Sequence, residues 1–301
     1  MTAAARSTQF AVRDWLLLAT VAAMWGSSFV LIKIGIVDLA PTTVAWLRLL
    51  FGTATLAAFP SSRRPLRNRR DWPLVAVLGV CWMAVPFLLF PLAEQSIPSA
   101  VAGMINGAAP LFTAAIAAGW SRRLPVGTLL AGLLIGFIGV VAVNLPAARG
   151  GAGILGLGLV LLATFLYGVA FNLTEPLEGR NGPLPVIWRA QIVALVVDTP
   201  AGVIGLTHST PSLGSVAAMA GLGVASTGLA FAAFTVLVGR VGSARASVTV
   251  YLVPVVAILL GLGVYGEPIA PLSLLGIVLV LLGAWLSARG SRGIPGPESR
   301  T

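Results

Sequence analysis

Apolar residues run along this chain in blocks of about twenty, separated by short breaks rich in Pro, Gly and charge. Ten blocks can be delimited, at 15–37, 42–60, 73–93, 97–119, 125–145, 153–173, 185–206, 213–237, 243–265 and 271–288. They are too long for strands, and about 20 helical residues cross the ~30 Å hydrocarbon core of a bilayer. The block at 15–37 opens like a secretory leader, with a run from Leu16 to Ala23, but it stays apolar to Val37 and reads as a retained helix. The polar interval Ser61 to Asp71 is the longest inside the chain, which leaves no room for a soluble catalytic domain. Residues 1–14 read as a short leading segment, and 289–301 as a Gly/Pro/Ser-rich disordered tail.

One stretch occurs twice. Ser99, Ala100, Ala102, Pro110, Gly119, Leu130, Gly132 and Gly139 return 144 positions later as Ser243, Ala244, Ala246, Pro254, Gly263, Leu274, Gly276 and Gly283. The same offset superposes the apolar blocks and the polar breaks. A solenoid repeats every ~20–50 residues, so this is a duplication of half the molecule, 15–145 and 153–288. Five helices per half is an odd number, and the second half therefore enters the membrane inverted. Inverted repeats build many secondary transporters, with the substrate site near the midplane between the halves.

Composition agrees with a membrane chain. Of 301 residues, 57% are apolar and 9% charged, against about 25% charged in a soluble domain; the mean hydropathy is +0.98. The formal net charge of +10 resembles a nucleic-acid binder's only in size, because the basic residues form no single patch. Fifteen of the nineteen Lys and Arg residues fall in the N-terminus, the tail and alternate loops, and Arg149 alone lies in the other loops. Under the positive-inside rule this places both termini in the cytoplasm of a plasma-membrane protein. Cys81 is the only cysteine and His208 the only histidine, so no disulfide, metal site or His-based catalysis is expected. No GxxxxGK[ST] motif is present, and ATP is not expected as the energy source. No cofactor is called for.

Polar and kinked positions inside the blocks are the candidate site. Arg48 lies about 4–5 Å and Asp198 about 3–5 Å outward of their helix centres at ~1.5 Å rise per residue. A charge at such depth costs at least ~2.5–3.5 kcal/mol and faces a cavity or a partner. Trp46 and Trp188 align the two helices at an offset of 142. Arg48 and Asp198 therefore read either as a structural ion pair or as a substrate or proton site. Lys33 and Arg189, nearer helix ends, are expected to snorkel. Pro110 and Pro254 deprive the carbonyls of Asn106 and Val250 of their donors, which makes them paired kinks, for gating or for packing. Asn106 could meet substrate at such a kink. Trp25, Tyr167 and Tyr251 could stack on a ring or pack.

The sequence resembles the drug/metabolite transporter superfamily and, within it, the EamA-type ten-helix carriers. The resemblance is carried by Trp25-Gly26-Ser27-Ser28-Phe29 with Lys33 and Arg48, by Ser99 to Pro110, by Gly242 to Ser247 leading to Pro254, and by Gly266-Glu267-Pro268 followed by Gly276 and Gly283. It implies an all-α integral membrane fold of ten helices in two inverted five-helix repeats around a central cavity. It also implies export of small organic solutes, such as amino acids or drugs, and adds Ser28 to the site. The chain departs from the family in carrying Arg123 where the first repeat often has Glu. A lipid flippase or scramblase of similar fold is the alternative, and an integral-membrane enzyme a more distant one. The partners implied are a small solute and the bilayer, with no nucleic acid. Proton coupling, and the choice between monomer and homodimer, are open.

Overall fold

The computed structural model describes residues 11–120, 122, 126–149, 153–241, 246 and 248–290. Ten helices account for these residues. They are α1 (Val12–Gly35), α3 (Arg69–Glu94), α4 (Ser99–Trp120), α6 (Ile154–Asn181) and α8 (Leu213–Val238), with α2 (Pro41–Ala57), α5 (Gly127–Arg149), α7 (Pro183–Leu206), α9 (Val248–Tyr265) and α10 (Pro271–Gly290). In hydrocarbon every backbone polar group must be satisfied internally, which helices do. Large apolar side chains such as Leu134, Phe137, Val196, Ile204, Leu259 and Val278 point outward, as lipid requires.

Helix ends follow local chemistry. Pro41 and Pro183 stand at first helical positions, where a missing N–H costs nothing. Ser212 caps α8 by accepting from the Ser215 amide at 3.1 Å. The turn from α6 to α7 is Gly182, at φ +83°, a conformation glycine alone adopts freely. Gly266, at φ +60°, sets Glu267 against the start of α4. There its carboxylate accepts from the Ser99 and Ala100 amides, each at 2.9 Å, and from the Ser99 hydroxyl at 3.0 Å.

All ten expected blocks are helices, with two boundary corrections. α6 continues to Asn181 rather than ending at 173, because its polar last turns fasten the 67–71 segment. Asn181 Oδ1 accepts from the Arg67 amide at 2.9 Å, and Asn181 Nδ2 donates to Asp71 at 2.6 Å. The tail expected from 289 begins within α10, and 291–301 lie outside the described residues.

The inverted repeat is visible in the packing. α2 lies along α7, with Gly202 against Trp46 and Gly205 against Thr43. α4 lies along α9, where Gly107 meets Pro254. α5 lies along α10 through Gly132, Gly136, Gly139, Gly276 and Gly283. Each of these pairs joins a helix to its own repeat equivalent, as a pseudo-two-fold axis in the membrane plane demands. The face where α1 begins is called the near face below, and the opposite one the far face.

Candidate functional site

Four of the ten helices are irregular, and the irregular parts of α1, α3 and α8 meet. α1 breaks at Ser27. α4 breaks between Asn106 and Ala109. α3 passes through a π-turn at Val80–Ala84 and α8 through one at Leu222–Leu229. The two π-turns occupy equivalent places in the repeats. A π-turn widens the helix and frees backbone groups, which is why such turns gather at functional sites.

Arg48 stands between the two π-turn helices, α3 and α8. It is 7% exposed. Its Nε donates to Thr227 Oγ1 at 2.9 Å, and its guanidinium lies 3.6 Å from the centre of the Phe87 ring. Thr227 belongs to the α8 π-turn and donates its own hydroxyl to the Leu222 carbonyl five residues back, at 3.1 Å. Gln191 of α7 fastens the same turn by donating to the Thr227 carbonyl at 2.8 Å. Neither Nη of Arg48 has a protein acceptor among the described residues. The guanidinium is thus oriented by one hydrogen bond and one ring, and its two-pronged end has no acceptor among the described residues. A fork so presented matches a carboxylate through two hydrogen bonds.

Aromatic rings enclose this centre. Trp82, in the α3 π-turn, packs on Phe171 at 5.6 Å and on Phe231 at 5.1 Å. Tyr167 lies 5.9 Å from Phe90 and 6.0 Å from Phe171, within electrostatic range of Arg48. Trp25 closes the near side, 5.7 Å from Phe231 and 5.1 Å from Phe234. Through Phe29 and Phe90, 5.5 Å apart, the cluster reaches Gly103 of α4. A separate cleft of about 350 Å³ opens at the near face beside Ser61, Arg64, Asn181 and Thr235.

The structure brings Trp25, Arg48 and Tyr167 together. Asn106 sits at the α4 break, its buried Oδ1 without a partner among the described residues. Ser28 turns back on its own helix, donating to the Met24 carbonyl at 3.4 Å. Ser27 and Ser226 donate to that carbonyl too, at 2.9 and 2.5 Å, so the break in α1 is repaired by hydroxyls. Tyr251 belongs to α9, and its side chain lies outside the described residues. The two prolines differ. Pro110 follows a true break, placed where its ring would meet the Asn106 carbonyl, whereas Pro254 sits inside a continuous helix.

Arg48 and Asp198 do not pair. The packing of Trp46 on Gly202 and the bond from Trp188 Nε1 to the Thr53 carbonyl, 3.2 Å, place Asp198 level with Arg48. Depth was readable, but direction around the helix was not. Arg48 turns toward α3 and α8, and Asp198 Oδ2 is buried with no partner among the described residues. Lys33 Nζ donates to the Glu94 carbonyl at 2.5 Å, at the far-face end of α3, and Arg189 to those of Ser62, in the near-face loop, and Pro185 at 3.2 and 3.1 Å.

Glu94, Gln191, Thr227 and Phe87 were not singled out from the sequence. Glu94 falls one residue beyond the block ending at 93, where an acid looks like part of a loop. In the structure it is fully buried, with both carboxylate oxygens unpartnered among the described residues. Among those residues no three His, Cys, Asp or Glu side chains gather to hold a metal ion.

Such an arrangement, irregular helices crossing around one buried cation between inverted halves, defines a polytopic membrane carrier. Two segments, 14–145 and 154–289, each match the EamA-like transporter family, and the chain belongs to that family. It is 28% identical to a probable terminal-alkyne amino-acid exporter of Streptantibioticus cattleyicolor, over 93% of this chain and 94% of that one. It is 29% identical to a probable amino-acid metabolite efflux pump of Salmonella typhimurium, over 93% and 96%. One crystal structure shares the fold with a TM-score of 0.64 at 19% identity, covering 93% of this chain and 98% of the other. The protein is a multi-pass membrane transporter of that family.

Proposed function

We propose that the protein exports amino-acid-like solutes bearing a carboxylate by alternating access, with Arg48 as the anion anchor. The observation that carries this reading is the open end of the Arg48 guanidinium, held by Thr227 and Phe87 in an aromatic enclosure. Leaving that charge unmatched is costly, and a bound carboxylate removes the cost. Trp25 and Tyr167 offer ring faces to the solute's side chain, and Asn106 an unused amide oxygen. Relatives named for amino-acid export support the substrate class.

The repeats 15–145 and 153–288 interleave, so in this reading helices drawn from both move about the α5–α10 seam and expose Arg48 to one face at a time. The near face is cytoplasmic on the positive-inside count. Purified protein in liposomes, assayed for counterflow of a panel of radiolabelled amino acids, tests the function. Accumulation of at least one is expected, and no flux of any would refute it.

A further inference from the structure

Glu94 is the last residue of α3, at the far face, and it is 0% exposed. Neither carboxylate oxygen has a hydrogen-bond partner among the described residues. Its charged surroundings come from every side. Lys33 of α1 lies beside it but is held by the Glu94 and Ile97 carbonyls, at 2.5 and 3.4 Å. Arg48 of α2 and Glu267 are within electrostatic range, and so is Tyr265 at the end of α9. Glu267 is engaged by Ser99 and Ala100. On the α6 side the neighbour of this helix end is Gly156, which packs on the Ala93 carbonyl. Both oxygens of this buried carboxyl are thus uncommitted to any donor among the described residues.

The fold does not need an acid here. The repeat equivalent of Glu94, 144 positions on, is Val238 at the near-face end of α8. An apolar residue serves one end of the molecule, and an ionisable one the other.

We propose that Glu94 is a proton-binding site that operates the far-face gate. Closing the far face takes one proton from the water on that side onto a Glu94 oxygen. Opening hydrates the carboxyl and returns the proton to that water, while Lys33 leaves the two carbonyls and faces the carboxylate. Val238 offers no proton site at the equivalent near-face position. The closed form thus holds one proton more than the open form, and the closed-to-open ratio rises up to tenfold for each unit fall in pH. This rests on the alternating-access reading and adds a side on which pH acts.

The test uses full-length protein in nanodiscs, with Cys81→Ser and spin labels at Val37 and Gln95, which are exposed at the far ends of α1 and α3. Distance distributions are recorded between about pH 5 and pH 9. A shift from short to long distances with rising pH is expected, abolished in Glu94→Gln and in Glu94→Val, both remaining short throughout. A pH-invariant distribution in the parent protein would overturn the proposal, and so would a shift that persists in either variant. Amino-acid counterflow together with an invariant distance would reject the gate alone. A Glu94-dependent shift without flux of any amino acid would reject the substrate reading alone.

Discussion

Gly139 and Gly276 meet backbone to backbone. A Cβ on Gly139 would lie 2.7 Å from the Gly276 carbonyl oxygen, and a Cβ on Gly276 2.8 Å from that of Gly139. Under the repeat, Gly139 becomes Gly283 and Gly276 becomes Gly132, and a Cβ on Gly283 would lie 2.5 Å from the Gly132 oxygen. The same contact is therefore made twice, related by the pseudo-two-fold axis. Small residues let helices approach closely where lipid offers no hydrophobic drive for association. Gly276→Val should destabilise the fold by about 1–3 kcal/mol through overpacking of a backbone that cannot yield. Gly158→Val, where a Cβ would meet open space, should be silent on the packing side. Thermal unfolding of both variants in detergent decides, and equal midpoints would deny the seam its role.

Two ion pairs tie helices at the near face. Arg240, in the last helical turn that continues α8 to Val241, bonds Asp14 of α1 at 2.5 Å, and Arg180 of α6 bonds Asp71 of α3 at 3.0 Å. The helix pairs α1–α8 and α6–α3 exchange under the repeat. Both aspartates have little exposed surface while both arginines stay partly exposed. Asp14→Asn and Arg240→Gln should each lower thermal stability. Their double-mutant cycle should show coupling, the double variant losing less than the two single losses together. Additive losses would mean that the pair holds nothing.

Orientation has its own measurement. With Cys81→Ser as background, His208→Cys and Pro65→Cys place single thiols on exposed loop residues at opposite ends. In whole cells an impermeant maleimide should label the first and spare the second. The reverse pattern would put the near face outside.

Asp198 and Arg48 should behave as independent sites. Asp198→Asn relieves a buried, unpartnered carboxylate and should leave the protein as stable or more so, with Arg48→Gln adding its own loss unchanged. A coupling above about 1 kcal/mol between them would show that they meet in a state other than the one described.

The helices, their inversion and the seam glycines were legible because they rest on one-dimensional facts: block length, charge alternation and an offset of 144. Depth is one-dimensional as well, and Asp198 does lie level with Arg48. Azimuth is not. Whether Arg48 turns toward α7 or toward α3 and α8 depends on how three helices are rotated, and the π-turn that offers Thr227 shifts that rotation locally. Polarity alone does not betray such a turn, since Leu222–Leu229 reads as an ordinary apolar run with a Ser and a Thr. Glu94 escaped notice for the converse reason. An acid at a block boundary looks solvated until the Lys33 side chain and the 95–98 turn are seen to cover it.

The central claim is that the open fork of Arg48 grips the solute's carboxylate. Its most direct measurement is liposome counterflow of a transported amino acid against the matching amino-acid amide, in the parent protein and in Arg48→Gln. Removing one side of a buried charge pair costs about 2 kcal/mol or more, roughly 30-fold in half-saturation. The parent should prefer the acid over the amide by about that factor, and Arg48→Gln should lose the preference by losing the acid. Equal handling of acid and amide by the parent, or an undiminished preference in Arg48→Gln, would contradict the account.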